Sequence, residues 1–245
     1  MSVNPIAARA FGAQAEDYER GRPGWPADAV AGLIERFGAR EVVDLAAGTG
    51  KLTRILAEHA DVIAIEPVDG MRAVLDAQVP AARVIAGTAE AIPLRDRSVD
   101  AVFVAEAFHW FDLSAAAAEI KRVLRPGGWV AVLFNETAGE DPPWFEEIGD
   151  VLKANRLEGT NMPHEVPWRE ALTTEFGELH DEEAAHEHVT TRELLLVQIG
   201  SFSSIGALPP DRFHAAIAAC RAVLERHGID DVTIPMRTKI TTAQA

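Results

Sequence analysis

Cysteine is almost missing from this 245-residue chain. Cys220 is the only one, which excludes an intrachain disulfide and a cysteine-based zinc site. Such usage leads us to expect a reducing compartment. Long apolar runs are absent too, and none approaches the ~20 residues that a membrane-spanning helix needs. The opening Met-Ser-Val-Asn-Pro-Ile-Ala-Ala-Arg lacks the apolar stretch of a secretory signal. The expected setting is therefore soluble and cytoplasmic, with no membrane partner. Basic residues are scarce: 23 Lys plus Arg stand against 38 Asp plus Glu, a formal charge of -15. A surface that acidic repels phosphate backbones, so nucleic acid is not expected as a main partner. No repeat or low-complexity tract occurs.

What is present is alternation. Residues 26–37 carry Val30, Leu33, Ile34 and Phe37 at helical spacing, between Pro26 and Gly38. Apolar runs at 41–47, 61–66, 83–87, 100–105 and 129–135 read as strands, and helical patterns separate most of them. Asp112 or Ser114 is placed to cap the helix bearing Ile120, Val123 and Leu124. Several strands are continuously apolar, as expected when helices cover both faces of a parallel sheet. The expected fold is an α/β, doubly wound, Rossmann-like sheet of seven mostly parallel strands with a helical cover. Residues 183–190 and 232–240 supply its last strands, and Pro235 suggests an edge position or a bulge for the second. We divide the chain into a cover segment (1–25), an α/β core (26–135), and substrate cover plus the final strands (136–245).

The chemistry starts at Val42-Val-Asp-Leu-Ala-Ala-Gly-Thr-Gly-Lys-Leu-Thr53. A strand runs into Gly48 and Gly50, and a helix follows at once. Glycine permits a tight turn and close approach of a ligand, while the helix start offers free N–H groups. A dinucleotide fingerprint needs glycine where Thr53 stands, which argues against a nicotinamide-dependent oxidoreductase. A P-loop fails at Leu45 and Leu52. An amino-acid-bearing nucleoside remains: Asp44 would help hold its ammonium. Glu66, 22 residues on, would accept from both ribose hydroxyls. Met71 is either core or adenine contact.

These residues resemble the class I S-adenosylmethionine-dependent methyltransferases, in particular the small-molecule branch related to ubiquinone-biosynthesis and trans-aconitate methyltransferases. The resemblance spans roughly residues 11–135. Asp44-Leu-Ala-Ala-Gly-Thr-Gly50 looks like the family's D-x-G-x-G-x-G turn, with Ala46 replacing its first glycine, a change tolerable at negative φ. Ile65-Glu66-Pro67 matches its ribose-binding acid. Gly87-Thr-Ala-Glu-Ala-Ile-Pro93 resembles the segment around adenine, which implies Thr88 and Ala89 at the base. Ser98–Asp112 resembles the fourth-strand motif facing the sulfonium, and we place Glu106 there with the cofactor. Phe11–Pro26 looks like the segment that closes over the cofactor, which implies Tyr18 and Arg22 as contacts. The resemblance implies S-adenosyl-L-methionine as cofactor, S-adenosyl-L-homocysteine as product and a small-molecule methyl acceptor. A non-catalytic protein that only binds this nucleoside is the alternative.

His109 is the candidate base, since imidazole can take a proton near neutral pH; otherwise it is a pocket wall. Trp110, Trp144 and Trp168, with Phe145 and Met162, are candidates for an apolar substrate pocket. Arg20, Arg169, Arg192 and Arg237 are candidates for a substrate carboxylate. His180, His186 and His188 lie among acids and read as a solvated edge, with no metal expected.

Overall fold

The computed structural model describes residues 14–155 and 165–245. Its elements follow the chain as α1 (Ala15–Gly21), α2 (Ala27–Phe37), β1 (Glu41–Leu45), α3 (Lys51–Leu56), β2 (Asp61–Ile65), α4 (Asp69–Gln78), β3 (Arg83–Ile85) and β4 (Val99–Ala105). A 3-10 turn (Phe108–Trp110) leads to α5 (Leu113–Val123), β5 (Leu124–Thr137), α6 (Pro143–Asn155), α7 (Trp168–Phe176), β6 (His180–Thr191), α8 (Arg192–Gly200), α9 (Ser203–Gly206), α10 (Pro210–Arg226) and β7 (Asp231–Gln244).

The strands form one seven-stranded sheet in the order β3-β2-β1-β4-β5-β7-β6. The first five are parallel, and β7 runs antiparallel to both β5 and β6. The order reverses between β1 and β4, which opens a crevice at their carboxyl ends. The unbroken apolar runs now have a cause. Val43, Leu45, Val102 and Val104 face α5 and α7, while Val42, Ala101 and Phe103 face α2 and α3. Both pleats are buried, so neither needs polar residues. Asp112 caps α5, accepting from the Ala115 N–H at 3.2 Å. Among the described residues, no helix is long and apolar enough to cross a membrane.

Pro235 corrects an expectation, because β7 lies inside the sheet. The proline sits opposite Ala138, just past the end of β5, and its carbonyl accepts the Ala138 N–H at 2.8 Å. It has no N–H to return, so β5 pairing stops there without a buried donor being lost. The cover has a core of its own: Trp144, Leu195, Leu196, Ile199, Cys220 and Leu224 pack on Ile234 and Met236 of β7. Burial pushes the Cys220 thiol up to about 11, which leaves it inert.

Candidate functional site

A cleft of about 850 Å³, counting its open mouth, lies at the carboxyl ends of β1, β2 and β4. It lies over the point where the strand order reverses. Its walls are Tyr18, Ala46, Gly48, Glu66, Pro67, Val68, Met71, Gly87, Thr88, Ala89, Glu90, Ala105, Glu106, Ala107, Trp110 and Phe111.

The glycine turn builds one wall. Gly48 has φ +58°, and a Cβ there would meet no atom within 4 Å, so the position presents bare backbone to open space. Its N–H donates to Glu66 Oε2 at 2.9 Å, and the Val68 N–H donates to Glu66 Oε1 at 2.9 Å. Glu66 is buried, which raises its pKa, while those two N–H groups oppose the shift. Each carboxylate oxygen keeps a free lone pair for a ligand hydroxyl.

Ala46 departs from the expectation of negative φ. Its φ is +58°, the left-handed region in which a Cβ is strained. Gly50 is also corrected. At φ +91° it needs glycine, but a Cβ there would lie 2.4 Å from Leu75 Cδ1, so its bareness admits α4 rather than a ligand. Asp44 does not reach the wall either. It is buried beneath the turn, where Oδ2 accepts from Thr53 Oγ1 at 2.5 Å and Oδ1 has no partner among the described residues. Burial pushes its pKa up to about 7.

Met71, Thr88 and Ala89 line the cleft, and Met71 and Ala89 are buried. Glu106 stands at the end of β4 in a left-handed conformation, φ +53°. Its Oε1 accepts the Asn135 N–H at 2.7 Å, and burial pushes its pKa up to about 6. A strained, half-buried carboxylate at a crevice is the kind of feature that functional sites retain.

Tyr18 of α1 closes one side. Arg22 does not line the cleft. It donates to Ser201 Oγ at 2.9 Å and to the Ser201 carbonyl at 3.2 Å, with its guanidinium over Tyr18 (5.0 Å) and Phe202 (4.4 Å). It ties α1 to the end of α8 and braces Tyr18. The sequence reading missed the second tie. Glu19 accepts from Thr49 Oγ1 at 2.6 Å and from Arg54 at 2.8 Å, which fixes α1 onto the glycine turn itself. It also missed Phe111 and Glu90, whose Oε1 accepts the Asp112 N–H at 3.0 Å. An acid beside Tyr18 was the only signal for Glu19.

His109 is not a wall residue. It is buried against Trp110 (4.9 Å) and Phe134 (5.9 Å), and its Nδ1 has no partner among the described residues. Burial lowers its pKa to about 4, so it is neutral and a poor proton acceptor at pH 7. Of the three tryptophans only Trp110 lines the cleft. Trp144 is core of the cover, 4.3 Å from Phe145, and Trp168 packs on Phe134 and Phe108. Neither ring lines the cleft. Met162 lies outside the described residues. Arg20, Arg169, Arg192 and Arg237 pair with Asp17, Asp181, Asp230 and Glu183, away from the cleft. Among the described residues, no group of histidines and acids is arranged to hold a metal.

Comparison with known proteins points one way. A family model described as a methyltransferase domain matches residues 43–132. An uncharacterized methyltransferase of Mycobacterium tuberculosis is 42% identical over 175 residues, covering 66% of this chain and 71% of the relative. An uncharacterized methyltransferase-like protein of Schizosaccharomyces pombe is 35% identical over 214 residues, covering 84% and 82%. Among solved structures, a proposed type II methyltransferase from Anaeromyxobacter dehalogenans aligns with TM-score 0.62 and 26% identity, over 91% of this chain and 97% of that one.

Proposed function

This chain belongs to the class I S-adenosylmethionine-dependent methyltransferases, and we propose that it binds S-adenosyl-L-methionine in the β1–β4 crevice and methylates a small molecule. When bound, that cofactor supplies a methyl group activated by a sulfonium and leaves as S-adenosyl-L-homocysteine. The residues present fit it. Glu66, held by two backbone N–H groups, suits a ribose diol. Gly48 leaves the open space that a sugar or methionine chain requires. Met71, Thr88 and Ala89 would flank the base.

The chain's own work is positioning and exclusion of water. The carboxyl edge of the sheet fixes Glu66 and Glu106 at the ends of β2 and β4, the two strands that flank β1. Two ties, Glu19 on Thr49 and Arg22 on Ser201, hold Tyr18 at the mouth. We do not assign the base to His109, since its ring lies off the wall and burial lowers its affinity for a proton. Glu66 over the Gly48 turn is the observation that carries the reading. Calorimetry with S-adenosyl-L-homocysteine and NADH tests it. We expect binding of the first alone, weakened about tenfold or more in Glu66→Gln by loss of charge-assisted hydrogen bonds. Retained affinity in that variant, or no binding at all, overturns it.

A further inference from the structure

We propose that Arg72 is the positioning residue of the ribose grip: it stands off the cleft wall and sets the backbone from which Glu66 and its Val68 partner act. The proposal rests on the methyl-transfer reading above, in which Glu66 accepts from a ribose diol. The need for such a residue begins just after β2. The Glu66 N–H donates to the Ile85 carbonyl at 3.2 Å, which extends the ladder with β3 by one residue. Pro67 has no N–H to give. The Val68 N–H is taken by Glu66 Oε1 at 2.9 Å. The carbonyls of Glu66 and Pro67 are left over, since no backbone N–H among the described residues bonds either one. Peptide groups beside a buried residue need partners.

Arg72 supplies the partner. Met71 and Leu75 are buried and seat α4, which carries Arg72 one turn in from its start. One guanidinium nitrogen, Nη1, donates to the Glu66 carbonyl at 2.8 Å and to the Pro67 carbonyl at 2.7 Å. Nη2 pairs with the Asp69 carboxylate. The Pro67 carbonyl and the Val68 N–H are two ends of one planar peptide. Gripping the carbonyl therefore fixes the direction of the N–H that holds Glu66 Oε1. Burial raises the Glu66 pKa, and the Val68 and Gly48 N–H groups, then the Arg72 charge, oppose that rise. The arginine thus acts on the carboxylate through a peptide plane and through its field.

Arg72 does not itself line the cleft, so its effect on a ligand passes through Glu66 and the loop after β2. A merely structural arginine would hold the start of α4 and do no more. The two roles separate on the ligand. Ribose hydroxyls sense the Glu66 carboxylate, whereas the rest of the nucleoside senses only the loop.

The test is calorimetry on the full chain with S-adenosyl-L-homocysteine and its 2′,3′-dideoxy analogue. The unmodified protein should bind the diol form about tenfold or more tighter, through the charge-assisted hydrogen bonds that the analogue lacks. Arg72→Gln should weaken S-adenosyl-L-homocysteine about fivefold or more and the analogue less than about twofold, a coupling of the size that linked groups show. Arg72→Met keeps the stem without the donors and should read the same, which covers poor folding of the first variant. Arg72→Lys should bring the loss back to within about twofold, because one nitrogen serves both carbonyls and an ammonium can donate to both. Equal loss of the two ligands in the Gln and Met variants would make Arg72 structural only, and overturns the proposal. So does unchanged S-adenosyl-L-homocysteine affinity, or a Lys variant as weak as the Gln one. If the unmodified protein ignores S-adenosyl-L-homocysteine, or binds both forms alike, the Glu66 reading itself has failed, and Arg72 has no grip to position.

Discussion

Replacing Ala46 with glycine should make this protein more stable. Ala46 sits at φ +58°, where its Cβ crowds the following carbonyl oxygen. That conformation costs an L-residue about 1–2 kcal/mol. Glycine removes the cost but adds about 0.4–1 kcal/mol of unfolded-chain entropy. The net expectation is a gain of about 1 kcal/mol, or roughly 2–4 °C in Tm for a chain of this size. Ala47 is the control. It lies in the same turn without a positive φ, so Ala47→Gly should lose about 0.5–1 kcal/mol. Urea unfolding measures both, and an unchanged slope with a shifted midpoint would place the effect on stability alone. Equal destabilisation by the two substitutions would refute the strain argument, because both residues would then be paying only glycine's entropy.

Other outcomes follow from the same geometry. Gly50→Ala should destabilise by about 2–4 kcal/mol, since overpacking adds to left-handed strain, and adding Leu75→Ala to that variant should cancel the overpacking share of the loss in a denaturation cycle. Glu19→Gln frees α1 from Thr49 and Arg54; stopped-flow should show S-adenosyl-L-homocysteine leaving about tenfold faster, the worth of one charge-assisted hydrogen bond. His109→Phe should keep turnover within about threefold from pH 6 to 8, since a buried ring with so lowered a pKa accepts a proton poorly; loss of the acid limb of the pH–rate profile would contradict that.

The same variant reports on acid stability. The His109 pKa falls to about 4 in the folded chain, so its contribution is complete above the unfolded value near 6.5 and fades as pH falls toward 4. The shift is worth about 3 kcal/mol. Asp44 and Glu106 act with the opposite sign, because their raised values favour the folded state as pH falls. The difference between wild type and His109→Phe in denaturant titrations from pH 7 to 4 isolates the histidine.

The amino-acid order by itself determined the sheet and two features of the cleft wall, the Gly48 turn and Glu66. Strand–helix alternation, the Gly48 turn and Glu66 at the next strand end are local patterns, and local patterns survive without tertiary information. The wall residues Met71, Thr88 and Ala89 were legible because each follows its strand by a fixed short step. What folding decided was which side chains share space. Gly50 and Asp44 belong to the turn, yet one meets Leu75 and the other hides beneath it, because a turn has two sides and sequence does not say which faces the ligand. Trp144 and Trp168 look like pocket aromatics and are core, since the cover packs them on residues far along the chain. Glu19 and Ser201 acquire roles only when α1 lies across elements 30 and 179 residues distant from its contacts. Such pairings are set by long-range packing, and no short spacing encodes them.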